Sequence, residues 1–129
     1  MTEERDRELA RNPQDLEQLL VTRQQAGDID GMAALYEPDA VLDDGAGQVI
    51  RGREAIHAFF ARLEGTGRKF TFGKQRPATV SGDLALTSTR SADDSVTAEV
   101  ARRQSDGTWL WVIDLFVIAP GIDESDADR

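Results

Sequence analysis

AGDIDGMAALYEPDAVLDDGAG, residues 26–47, reads as a helix end, a short helix, a proline stop and a strand. Gly27 ends a first helix, because glycine enters the left-handed conformation at little steric cost. Asp28 then N-caps a second helix holding Ile29, Met32, Ala33, Leu35 and Tyr36. Pro38 stops that helix: it has no N–H to donate and pushes Glu37 out of the helical region. Ala40-Val41-Leu42-Asp43-Asp44 follows as a strand, and alternation puts Ala40, Leu42 and Asp44 on one face. A carboxylate closing an apolar face marks the mouth of a pocket, where desolvation raises its pKa and makes it a better base near neutral pH. The competing reading of Asp44 is a solvated turn residue between Asp43 and Gly45.

Upstream, Asn12-Pro13 reads as an N-cap with proline at the first helical position. Leu16, Leu19, Leu20 and Arg23 then recur at helical spacing up to Ala26. Residues 1–11 are charged and expected to be a flexible segment. Downstream, Gly45-Ala46-Gly47 turns the chain into Gln48–Arg51. A third helix is expected over 54–63, with Ile56, Phe59, Phe60 and Leu63 on one face, broken by Gly65-Thr66-Gly67. Strands are expected at 69–75, 79–81, 84–90, 96–103 and 108–119, separated by turn-forming residues. Three helices followed by strands define an α+β domain over 12–120: a cone-shaped roll, with helices packed on a strongly curved, mixed and mostly antiparallel sheet. Residues 121–129 form an acidic tail expected to be disordered.

At 129 residues and a formal charge of −9, the chain suits one domain with a real core. The charge argues against nucleic acid or an anionic membrane as partner, since both need a basic surface. There is no cysteine, so disulfides, thiol catalysis and thiolate metal sites are all excluded. The first twelve residues contain no apolar core, and no run is long enough to span a bilayer, so a cytoplasmic address is expected. His57 stands alone at the edge of the third helix's apolar stripe, without metal-ligand spacing. No glycine-rich phosphate motif is present, and Ser88 and Thr89 lack a base; no cofactor or metal is expected.

The last strand is apolar on both faces. Alternation places Trp109, Trp111, Ile113, Leu115 and Val117 on one, and Leu110, Val112, Asp114, Phe116 and Ile118 on the other. Helices can cover only one face, so the face of Trp109 and Trp111 is expected to meet a second copy in a homodimer. Asp114 is an expensive charge among apolar neighbours. It pairs with a buried backbone group or with Arg90, Arg102 or Arg103, or else it enters a pocket with Asp44, where mutual repulsion keeps one of the two protonated.

Several short motifs, in order, resemble the ketosteroid isomerase-like and polyketide cyclase-like branch of the nuclear-transport-factor-2-like superfamily. They are Gln25-Ala26-Gly27-Asp28, Ala34-Leu35-Tyr36, Asp39-Ala40, Asp44, and Arg51-Gly52-Arg53-Glu54-Ala55-Ile56 leading into Phe59-Phe60. The resemblance covers roughly residues 12 to 118. It implies the cone-shaped fold, sheet-to-sheet dimers, and Asp44 as the base that moves a proton α to a carbonyl. Asp114 matches the final Trp-x-x-x-x-Asp pattern of many relatives. Two family positions differ. Leu20 stands where the family's oxyanion tyrosine is, so the resemblance does not extend to ketosteroid isomerisation itself. The family's second acid aligns with Glu99 or, with a one-residue gap, Val100; Glu99 is expected to face solvent, because Val96, Ala98 and Val100 form the more apolar face.

Two functions follow. One is a cofactor-free isomerase, cyclase or lyase that uses Asp44 and Asp114 on a small apolar molecule. Its cone would be lined by Leu16, Leu20, Met32, Tyr36, Phe59, Phe60, Val112 and Phe116. The other is a non-catalytic ligand-binding or dimerisation module with the same cone. The fold alone does not choose between them.

Overall fold

The computed structural model describes residues 7–118; the expectations for residues 1–6 and for the tail 121–129 lie outside the described residues. Helix α1 spans Asp15–Gln25 and buries Leu16, Leu20, Val21, Arg23 and Gln24. Its first turn is closed from inside: Asp15 Oδ2 accepts from the N–H groups of Arg11 (3.1 Å) and Asn12 (3.0 Å). Gly27 takes φ +73°, as a left-handed helix terminator requires. Helix α2, Ile29–Ala33, is capped by Asp28, whose carboxylate accepts from the Gly31 N–H at 3.0 Å. Helix α3, Arg53–Glu64, buries Ile56 and Phe60.

The second helix is shorter than its sequence suggests. Tyr36 already belongs to strand β1, Tyr36–Asp43, which runs through Pro38. β1 pairs in parallel with the last strand at Tyr36↔Trp111, and resumes at Val41↔Ile113 after a register shift. Pro38 falls in that gap, where no ladder bond is asked of it. The remaining strands are β2 (Val49–Arg51), β3 (Lys74–Gln75), β4 (Thr79–Ser81), β5 (Leu84–Thr87), β6 (Thr89–Arg90), β7 (Val96–Arg103) and β8 (Trp109–Ile118). They form one mixed sheet in the order β2-β1-β8-β7-β5-β4, with β6 also pairing β7 and β3 pairing β6. Among the described residues every strand pairing except β1–β8 is antiparallel. The helices lie on one face, as the α+β reading expects.

Strand β8 departs from simple alternation, and the departure places the site. Val100 pairs with Ile113 but Ala101 with Trp111, so Val112 is an extra residue and the face pattern flips there. Trp109 (7 % exposed), Trp111 (1 %) and Asp114 (2 %) therefore all point into the core, while Ile113 is 50 % exposed. The exposed Trp109–Trp111 face expected from alternation does not exist: both rings are buried under their own chain. Residues 7–11 are likewise packed on the domain. Arg7 pairs with Asp28 at 2.8 Å, Ala10 is buried, and the Ala10 carbonyl accepts from the Trp109 N–H at 2.9 Å.

The core is aromatic along its length. Trp111 packs at a tilt against Tyr36 (5.1 Å between centroids), Tyr36 meets Phe60 (6.0 Å), and Phe116 lies 5.6 Å from both Phe59 and Phe70. Among the described residues, no helix is long and apolar enough to cross a membrane.

Candidate functional site

Strand register brings acids together inside the sheet's covered face. Leu42 on β1, Asp114 on β8, Glu99 on β7 and Thr87 on β5 form one lateral row of pairs, and all four are buried. Asp114 and Glu99 are thus direct cross-strand neighbours in the core. The expectation that Glu99 faces solvent fails, because the alternation of β7 is read correctly only from its partners: Glu99 and Ala101 are buried, Val100 is not.

Each buried acid is held by hydroxyls, not by arginine. The Tyr36 hydroxyl donates to Asp114 Oδ2 at 2.6 Å, and the Thr87 hydroxyl donates to Glu99 Oε1 at 2.7 Å. The three arginines offered as partners are engaged elsewhere: Arg90 with Asp94, Arg102 with Glu37 and Arg103 with Asp83. Burial pushes the Asp114 carboxyl well above the ordinary range, the Glu99 charge adds to it, and the Tyr36 hydrogen bond opposes it. Burial also raises Glu99, offset by hydrogen bonds from Thr97 and Thr87. The pair is coupled: the first proton lost leaves a charge that holds the second.

A third acid joins them. Glu17 sits on α1 three residues before Leu20 and so shares its face. Burial drives its carboxyl well up, with Glu99 and Asp114 each adding to the shift. Glu17 is also the member that reaches a cavity. An opening of about 260 Å³ is lined by Glu17, Leu20, Phe70, Thr97 and Phe116, with Arg68 and Lys69 among its remaining walls. A loop after α3 forms one side, and α1 fixes it: Gln24 Nε2 donates to the Arg68 carbonyl (2.7 Å), and Gln24 Oε1 accepts from the Phe70 N–H (2.8 Å). Further along, Gly73 lies so close to β6 that a Cβ there would sit 2.6 Å from the Arg90 carbonyl oxygen.

The sequence-derived site residues divide accordingly. Asp114 is in the buried cluster. Asp44 lies beyond the end of β1, in the β1–β2 turn, where its Oδ1 accepts from the N–H groups of Ala46 (2.7 Å) and Gln48 (3.1 Å). Leu16, Met32, Tyr36 and Phe60 are sealed in the core, Phe59 is partly buried against it, and Val112 is the bulge residue. Leu20 and Phe116 line the cavity. Sequence reasoning missed Glu17. Its signal was position: an acid beside Leu16 and Leu20 on the stripe that faces the core.

A larger groove, about 720 Å³, lies at the opposite end of β7 and β8, bounded by Leu9, Arg53, His57, Asp106 and Trp109. Two of its charged groups are engaged: Arg53 Nε donates to the Tyr36 carbonyl at 2.9 Å, and His57 Nε2 lies 2.7 Å from Asp30 Oδ1. Of the three clustered acids, Glu17 borders the smaller cavity, with Asp114 and Glu99 behind it in the core. Among the described residues, no group of three or more His, Asp or Glu side chains is placed to hold a metal ion.

A curved mixed sheet covered by three helices, with a cavity at one end, is the architecture of nuclear-transport-factor-2-like proteins. Residues 17–121 match the SnoaL-like domain, and the chain belongs to that family. Solved structures agree in fold. An NTF2-like protein of unknown function from Pseudomonas putida KT2440 is 23 % identical, with a TM-score of 0.66 over 88 % of this chain and 87 % of that one. A putative calcium/calmodulin-dependent protein kinase type II association domain from Thiobacillus denitrificans is 18 % identical, with a TM-score of 0.71 over 84 % and 96 %. A ketosteroid isomerase-like protein from Erwinia carotovora atroseptica is 17 % identical, with a TM-score of 0.63 over 83 % and 94 %. No curated protein sequence matches the chain.

Proposed function

We propose that the protein is a cofactor-free enzyme that moves protons on a small, largely apolar molecule, in an isomerase-, cyclase- or lyase-type reaction. One observation carries this reading: Glu17 lines an open cavity while its carboxyl is coupled to two buried acids, Glu99 and Asp114. Three carboxyls so placed do not ionise independently, because each charge raises the pKa of the next. The site therefore presents Glu17 as a base whose proton affinity is raised by burial and by the two acids behind it. As a carboxylate, Glu17 takes a proton from carbon α to a carbonyl, leaving an enolate and a neutral Glu17 carboxyl that carries the proton. The proton then returns at the same carbon or another one, or the carbanion closes a ring or expels a leaving group.

In this assignment Glu17 is the group that meets substrate. Asp114, Glu99 and Tyr36 set its charge state from behind. Asp44, with Oδ1 committed to its own turn, takes no part. The test is deuterium uptake from D2O into 2-tetralone, an enolisable ketone of cavity size. Wild type should accelerate exchange about 100-fold or more over Glu17→Gln, a typical general-base effect. Exchange equal in wild type, Glu17→Gln and buffer, with the ketone still bound, would favour the ligand-binding module instead.

The assembly we propose is a homodimer through the open face of the sheet, now carried by different residues from the tryptophans. Leu86, Val100, Ile113 and Val41 pair laterally across β5, β7, β8 and β1, with Leu86 53 % and Ile113 50 % exposed. Four apolar side chains in one lateral row on the sheet face away from the helices, two exposed and two half-buried, form a self-complementary patch of the kind a two-fold interface uses.

A further inference from the structure

The rim of the cavity differs in character from the acids behind it. Arg68 lines the opening, stacks over Phe70 with its guanidinium carbon 6.0 Å from the ring centroid, and makes no ion pair among the described residues. The neighbouring Lys69 is already 3.5 Å from Glu64. Asp93, the one unburied acid on the rim, has its Oδ1 occupied by the N–H (2.9 Å) and hydroxyl (2.6 Å) of Ser95. The hydroxyls of Thr71 and Ser91 also border the opening and make no hydrogen bond among the described residues. Arg68 lies near enough to Asp93 for its charge to lower that carboxyl's pKa. No carboxylate among the described residues comes within ion-pair distance of Arg68, so its fork is open to an anion at the cavity mouth. A guanidinium's planar fork suits a carboxylate.

We infer that the molecule this cavity takes is an organic monocarboxylate. Its anion sits at Arg68 with the rim hydroxyls, and its apolar body lies against Leu20, Phe70 and Phe116, with the far end at Glu17. This rests on the proposed reading of the cavity as a substrate site and adds the substrate's class. Size agrees: an apolar cavity of about 150 Å³ holds benzene, so 260 Å³ takes one ring with a short chain. The polarity also runs one way. A carboxylate is repelled from the acid cluster and drawn to the rim, so the ligand enters reacting end first.

The test compares 3-phenylpropionate with 3-phenylpropan-1-ol, which differ in charge but little in shape, by calorimetric titration at low salt. Wild type should bind the acid at least tenfold more tightly. Arg68→Gln should remove that preference while leaving alcohol affinity within about twofold, and 0.5 M salt should shrink it, since the rim is exposed. Equal affinities in wild type, or a preference that survives in Arg68→Gln, would overturn the inference and leave the cavity intact as a site for neutral molecules. Failure of both compounds to bind wild type at millimolar concentration would overturn it together with the reading of the cavity as a small-molecule site.

Discussion

Asp114 and Glu99 stand directly opposite each other on β8 and β7, both 2 % exposed, with Tyr36 and Thr87 as their hydroxyl donors. Two ionised carboxylates so buried would repel each other with little water between them, so the fold retains protons that the unfolded chain gives up. The sign is therefore fixed. Both folded pKa values lie above the unfolded values of about 3.9 and 4.3. Stability from these groups is fully present below the unfolded values and is lost as pH rises through the folded ones.

Asp114→Asn should consequently flatten the loss of stability with pH. Asparagine still accepts the Tyr36 hydroxyl and removes one charge from the pair. Urea melts at pH 5 and pH 8 should show the variant gaining on wild type at the higher pH, by on the order of 1 kcal/mol. A variant that loses stability at pH 8 would mean that Asp114 has a cationic partner.

Tyr36→Phe has the opposite character. It strands a buried acceptor, which costs about 1–3 kcal/mol. It also removes the hydrogen bond that opposes the rise in the Asp114 pKa. The pH at which Asp114 ionises should move further up, a shift that a purely structural tyrosine would not produce. Thermal melts across pH, repeated for Tyr36→Phe with Asp114→Asn, measure the coupling.

Gly27→Ala should destabilise more than Gly65→Ala. Gly27 holds φ +73°, and an added Cβ would meet only Glu64 Oε2 at 3.5 Å, so the cost is conformational and about 1 kcal/mol. Gly65 has φ −63°, which alanine adopts freely. Urea midpoints give the order directly.

The helix-to-strand passage was legible because its signals are short-range. Gly27 needs a left-handed φ, and Asp28 needs only the Gly31 N–H three residues on. The inward cluster was not legible for the opposite reason. One extra residue, Val112, reverses the faces of β8, and nothing in Trp109–Phe116 announces it; the bulge exists only against β7. That single residue turned the tryptophans inward beside Asp114. Glu99 followed the same logic, since the pairing with Asp114 fixes its face. Asp44 was misjudged by one position: β1 ends at Asp43, and an aspartate followed by Gly45 closes its own turn more cheaply than it extends a strand. The family resemblance, carried by motifs at helix ends and turns, reached the fold and stopped short of the cavity.

Ile113→Glu should separate assembly from folding. Ile113 is 50 % exposed at the centre of the apolar row, so the charge costs the single chain little. Sedimentation at micromolar concentration should give a dimer for wild type and a 14.2 kDa species for the variant. Wild type sedimenting only at 14.2 kDa would remove the interface.

The central claim is that Glu17, Glu99 and Asp114 form one proton-retaining group at the cavity. Carbon-detected NMR titration of the three side-chain carboxyls reads it residue by residue. All three should titrate above the ordinary carboxylate values of about 3.9–4.3, with the steps of Glu99 and Asp114 displaced by each other's ionisation. Asp114→Asn should lower Glu17, whose carboxyl the Asp114 charge raises. Three independent titrations at or below ordinary values, unchanged in Asp114→Asn, would contradict the account.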